Sequence, residues 1–209
     1  MKNNIVSPIF GFMAVTSYMC FAFISWLLYP LEFNPFQNWL SDLGHIGWNI
    51  SGSIFYRLAS IITGTLITFF YFFIVKLIED NRKKIKVYVW LVKIFGMLGG
   101  FSFIMSGVFP INDLPNHSLW SILLYIFFGT SIAFSGIVWV YKKNTRPVAA
   151  FAFLAAALNI SSGIFNKTFF LEWIVVLFII IYIIIVCVRS LVFYNFQKMQ
   201  KDTLLAQSS

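Results

Sequence analysis

The sequence predicts an all-α integral membrane protein: a bundle of six transmembrane helices with both termini in the cytoplasm. Three observations carry that reading. Hydrophobic residues make up 60% of the chain and charged residues only 11%, where a soluble domain has about a quarter of its residues charged. The apolar stretches run to about 20 residues, the length that crosses a hydrocarbon core as a helix. The basic residues between them fall on alternate turns, the asymmetry that sets orientation.

The spans are expected at 9–29, 53–78, 87–109, 119–141, 148–165 and 170–193. The first resembles a signal peptide, but its apolar run is too long and no small-residue cleavage site follows, so it reads as a retained span. The fifth is the shortest, with Asn159, Ser161, Ser162 and Gly163 gathered near its end. The sixth, rich in Ile and Val with no Gly, reads as lipid-facing. Residues 1–196 are expected to form the membrane domain, and 197–209 a short, frayed cytoplasmic tail.

All but four of the 15 Lys and Arg residues alternate onto the side of the two termini, the exceptions being Arg57, Lys76, Lys93 and Lys167. That side is expected to be cytoplasmic, and the protein a multi-pass protein of the cell membrane. The net charge of +8 is explained by these loops, so no nucleic-acid partner is implied. Cys20 and Cys187 both lie in apolar segments and read as small core residues, with no metal-type pair.

Small residues mark where helices in lipid pack closely. Span two carries Ser60, Gly64 and Thr68 on one face. Span three carries Gly96 and Gly100 with Gly99 beside them, span four Gly129, Ser131, Ser135 and Gly136, and span five Ala152 and Ala156. Gly96 and Gly100 admit two readings, packing inside one bundle or a homodimer seam; the first is preferred.

Two polar strings interrupt the apolar pattern on the outer side, 38–45 (NWLSDLGH) and 107–118 (GVFPINDLPNHS). Both histidines lie in them, with Trp39, Trp48, Trp120 and Trp173 nearby at headgroup depth. The candidate cluster is Asn38, Ser41, Asp42, His45, Arg57, Asp113, His117 and Ser118. A structural role is open: Asp42 and Asp113 sit in turn sequences where a carboxylate caps N–H groups, and Pro110 and Pro115 stiffen the second turn. Arg57, about one turn into span two, needs a counter-charge, expected from Asp42 or Asp113. A metal site is also open. Asp42 and His45 are three apart and Asp113 and His117 four apart, a set that suits zinc and a metal-bound hydroxide attacking lipid. The preferred reading is non-enzymatic binding of a lipid headgroup or small molecule, Arg57 and the histidines gripping a phosphate. The alternative is a metal-dependent hydrolase acting on a lipid ester, amide or phosphate. The two strings are expected to meet in space.

A charged-solute transporter is disfavoured because Thr63 and Asn159 are nearly the only polar residues near the midplane. A retinal receptor is disfavoured because span six has no interior lysine. Asn49, Asn116 and Asn166 match the glycosylation pattern but lie too close to the membrane for use.

The residues 38–44 (NWLSDLG), Ile54, Phe55 and Tyr56 opening span two, Gly107, Phe109 and Pro110, and Pro115, His117 and Ser118 carry a family resemblance. In their order and spacing the chain resembles an uncharacterised prokaryotic family of six-span membrane proteins, the domain of unknown function 998. The resemblance implies the six-span architecture and no activity. More distantly, the chain is similar to eukaryotic autophagy-modulator and GPI-anchor-remodelling membrane proteins, with a comparable span number and a polar loop after span one. That similarity points toward a lipid-associated role.

Overall fold

A computed structural model describes residues 5–78, 83–142, 144–165 and 168–208. Six long helices run in chain order: α1 (Val6–Leu27), α2 (Ser53–Ile78), α3 (Lys83–Val108), α4 (Leu114–Val140), α5 (Arg146–Phe165) and α6 (Phe169–Ser208). A 3₁₀ turn, Leu40–Gly44, lies in the connection between α1 and α2. Each long helix is long and apolar enough to cross a membrane, so the protein is a multi-pass membrane protein. Two ends differ from the sequence expectation. Helix α4 starts at Leu114 because Pro115 sits in its first turn, where a missing N–H removes no helical hydrogen bond. That makes Asn116, His117 and Ser118 helical. Helix α6 continues unbroken through Ser208, so the segment expected to fray extends the last span as helix.

Consecutive helices pack side by side from α1 to α5, and α6 closes the ring against α1 and α5 with less extensive contact. The α2–α3 seam is the tightest, and small residues make it so. A Cβ at Gly64 would stand 2.7 Å from the carbonyl oxygen of Gly100, and one at Gly107 2.8 Å from that of Arg57. Backbone therefore meets backbone along the stripe, the arrangement that gives helices in lipid their dispersion contacts. Gly96 and Gly100 face Tyr71 and Thr68 of α2. Both glycines are buried within the bundle. The α4–α5 seam follows the same logic, with Gly129 against Ala156 and Asn159 and Gly136 against Phe153. Ser131 adds a hydrogen bond from Oγ to the Val92 carbonyl, 2.8 Å, between α4 and α3.

Helix α6 departs from its lipid-facing reading. Glu172, Val175, Ile179, Tyr182, Ile183, Val186, Cys187 and Ser190 are buried, three and four residues apart on one stripe, while Leu177, Val188 and Val192 remain exposed. Tyr182 meets Ser135 of α4 through its hydroxyl, which also accepts from Trp139 Nε1 at 3.4 Å. Its Ile and Val therefore serve two masters, half core and half lipid. Of the two cysteines, Cys187 is buried, so close to Gly11 of α1 that a Cβ there would overlap its sulfur. Cys20 is exposed, contrary to its core reading.

Candidate functional site

The end of the bundle that carries the 3₁₀ turn also carries the polar groups. The 28–52 segment is held there by a knot around Asn49. Its Nδ2 donates to Leu43 O (2.8 Å), Ser25 Oγ (3.0 Å) and Ser25 O (3.2 Å), while its Oδ1 accepts from Gly52 N at 3.0 Å. Asn49 is fully buried, which leaves no room for a sugar on it. Trp173 Nε1 donates to Asn38 O at 3.1 Å and so ties the start of the first string to α6. Asn166, the third acceptor-pattern residue, lies outside the described residues.

The two strings do meet. Ile46 N donates to Asn112 Oδ1 at 2.7 Å, and the Asn112 amide lies 3.3 Å from His45 Nε2. The residues within them nevertheless go separate ways. Asp42 turns back on its own chain, Oδ2 accepting from Trp39 N at 2.9 Å, and burial pushes its carboxyl up to about 6 against that hydrogen bond. His45 stacks on Trp48 with ring centroids 4.0 Å apart. Its Nδ1 accepts from Gly47 N and Trp48 N at 3.1 and 3.0 Å, which keeps the ring neutral with its proton on Nε2. Burial lowers its pKa. Asp113 stands at the start of α4 but its side chain caps no backbone N–H; it accepts instead from Asn116 Nδ2 at 2.8 Å.

Arg57 corrects the counter-charge expectation. Its Nε donates to Gly107 O at 3.1 Å, and among the described residues no ion pair joins it to Asp42 or Asp113. Gly107 lies in the last turn of α3, whose carbonyls have no partner within the helix and carry its negative dipole end. A cation is therefore satisfied there without a carboxylate. Nor do Asp42, His45, Asp113 and His117 fit a zinc centre: among the described residues no three His, Cys, Asp or Glu side chains gather as a metal would need.

What the structure does gather is centred on a residue the sequence reading passed over. Glu172, one turn into α6, is buried. Its Oε2 accepts from Leu40 N (2.7 Å) and Ser41 N (3.4 Å) at the start of the 3₁₀ turn. Its Oε1 accepts from the Tyr125 hydroxyl at 3.5 Å, and the Ser41 hydroxyl also bonds the carboxyl group. His117, reaching in from the first turn of α4, is held by its Nδ1 donating to Phe109 O at 2.8 Å. Glu172, His117, Tyr125, Ser41 and Ser121 line both a chamber of about 60 Å³ inside the bundle and a wider recess of about 270 Å³ beside it. Tyr18 and Tyr56 of α1 and α2 complete the chamber, and Trp39, Ser118 and Ser162 line the recess. A third, apolar groove of about 410 Å³ lies between α1 and α6 and shares Tyr18, Val176 and Ile180 with the chamber. The hydroxyls of Tyr18 and Ser162 are buried without a hydrogen-bond partner.

Of the sequence-selected residues, Ser41, His117 and Ser118 line these spaces. Asn38 and Asp42 brace the first string, His45 and Asp113 the second, and Arg57 the end of α3. Glu172 had a readable signal, an ionisable residue inside the strongest apolar segment. No curated protein and no solved structure matches the chain. Residues 12–189, most of the chain, match the family described as protein of unknown function (DUF998), and the chain belongs to that family of membrane proteins.

Proposed function

We propose that this protein binds a lipid headgroup or other small polar molecule, without transforming it, in the Glu172 chamber and its adjoining recess. One observation carries the reading. A buried acidic side chain, held by the Leu40 and Ser41 amides and by the Ser41 and Tyr125 hydroxyls, lines a space large enough to admit a ligand. Buried polar groups left short of partners are rare in structures that need them only for folding, and an intramembrane ionisable group by default marks a functional site. The unpartnered Tyr18 and Ser162 hydroxyls leave spare hydrogen-bonding capacity around the space. The concentration of basic residues toward the opposite end supports a chamber facing away from the cytoplasm.

The test is native mass spectrometry of the full chain released from membranes into mild detergent. Wild type is expected to retain an adduct of defined mass. Ser121→Trp, which fills the shared wall of chamber and recess, should lose it while melting at nearly the same temperature. A wild type that flies bare, or an adduct indifferent to Ser121→Trp, would remove the chamber as the binding site.

A further inference from the structure

We infer that the chamber takes the ammonium of a protonated long-chain amine, whose alkyl chain lies in the apolar groove between α1 and α6. The inference rests on the chamber being a binding site and names the class of ligand.

The charge balance comes first. Among the described residues, no Lys or Arg lines the chamber, the recess or the groove. Arg57, the cation nearest in sequence to Tyr56, turns its Nε to Gly107 O and lines none of the three spaces. The hydrogen-bonding groups that face the chamber are the Glu172 carboxylate, His117 and a set of hydroxyls that includes Tyr18, Tyr56 and Tyr125. An anionic ligand would meet an acidic side chain with no described cation beside it to offset the repulsion. An ammonium supplies three N–H donors to a space rich in acceptors. Aromatic rings of Tyr18, Tyr56, Phe103, Tyr125 and Phe128 in the walls add their faces to the same preference.

The chain end follows from the groove. At the far end of the bundle α1 and α6 touch at Gly11 and Cys187. Toward the 3₁₀ turn a cleft separates them, walled by Met19, Phe23 and Trp26 on one side and Trp173, Leu177 and Ile180 on the other. Met19, Phe23, Trp26 and Leu177 are exposed, so the cleft opens on the lipid. Between Phe170 and Ile180 it follows α6 for about 15 Å, room for an extended alkyl chain. Tyr18 is the wall common to groove and chamber, and its unpartnered hydroxyl is buried at the junction between an apolar tail and a polar head. The same balance disfavours the headgroup of an aminophospholipid, whose phosphate would enter a site to which no described residue brings a cation. The occupant is an amine on a single chain.

Full-length protein in nanodiscs of anionic phospholipid, titrated with decylammonium, decanol, decyl phosphate and butylammonium, separates the contributions of charge and chain. Decylammonium should bind about tenfold or more tighter than decanol, the worth of a hydrogen bond to a charged group, and decyl phosphate should not bind. Glu172→Gln keeps an acceptor for Leu40 and Ser41 and should erase the preference for ammonium over alcohol. Ala22→Trp, filling the groove, should weaken decylammonium and leave butylammonium unchanged. Equal binding of decanol and decylammonium would overturn the amine assignment while leaving the chamber a binding site. Binding of none of the four would overturn both. Loss of decylammonium binding when phosphatidylethanolamine replaces the anionic lipid would make an aminophospholipid the occupant and refute the single-chain assignment.

Discussion

The α2–α3 seam and the two seams of α6 solve the same problem in opposite ways. Along α2–α3, Gly64, Gly100 and Gly107 bring backbone onto backbone. Along α6, bulky and β-branched side chains hold the helix off its neighbours, and the chamber, the recess and the groove all have a wall on α6. Helices in lipid gain no hydrophobic drive from meeting each other, so the side chains at a seam decide whether it closes. Small residues make the scaffold here, and large ones make the site.

The comparison breaks most sharply at Gly100. Gly100→Leu places a branched side chain where Thr68 and the Gly64 carbonyl already stand, and should cost about 3 kcal/mol or leave no folded protein. Thermal denaturation in detergent checks it. Next comes the knot that positions the first string. Asn49→Ala takes the acceptor from Gly52 N and the amide donor from Leu43 O and Ser25, leaving only the Ser25 Oγ–Leu43 O bond of the knot, with an expected loss of about 2 kcal/mol. Hydrogen exchange should localise the loosening to 28–52, and uniform exchange across the bundle would show that the knot holds nothing in particular.

A smaller effect is readable in pH. The Asp42 carboxyl titrates near 6 in the fold and near pH 4 in the unfolded chain. The folded form thus keeps a proton that the unfolded form releases, and stability falls as pH rises from about 4 through about 6. His45 acts in the opposite sense: with its pKa lowered, the unfolded chain takes up a proton first as pH drops below about 6.5, so stability rises with pH. Asp42→Asn should remove the first contribution alone, making stability climb more steeply with pH between 4 and 6 than in wild type. Identical pH profiles for the two proteins would show that Asp42 has no shifted titration. The smallest effect is expected on the loose side. Leu177→Ala removes an exposed wall of the groove and should change the melting free energy by less than about 0.5 kcal/mol.

Much of the scaffold was legible because its signals are local. Span length and the small-residue stripes at Ser60, Gly64 and Thr68 or at Gly96 and Gly100 are written in consecutive turns. The site was less legible because it is assembled across the ring. Arg57 looked in need of a carboxylate, since nothing in its own helix reveals that the last carbonyls of α3 lie beside it. His45 and His117 looked equivalent, yet one stacks outside on Trp48 and the other turns in under Phe109. Glu172, one turn into its span, drew no attention in the sequence. Only the fold of the 28–52 segment over it, contributed from more than 120 positions away (132 to Leu40), makes it the centre of the cluster.

The division of labour within Glu172 has a thermodynamic consequence. One carboxylate holds the amides of Leu40 and Ser41 through Oε2 and offers Oε1 to the chamber. The two oxygens share one charge, so whatever draws electron density to Oε1 weakens the acceptor at Oε2. Occupancy and loop anchoring are then linked quantities, and each must bias the other by the same free energy. The protection of the Leu40 and Ser41 amides against exchange becomes a reporter of chamber occupancy from the far side of the carboxylate. A chamber filled without any change in those amides would show that the two oxygens act independently.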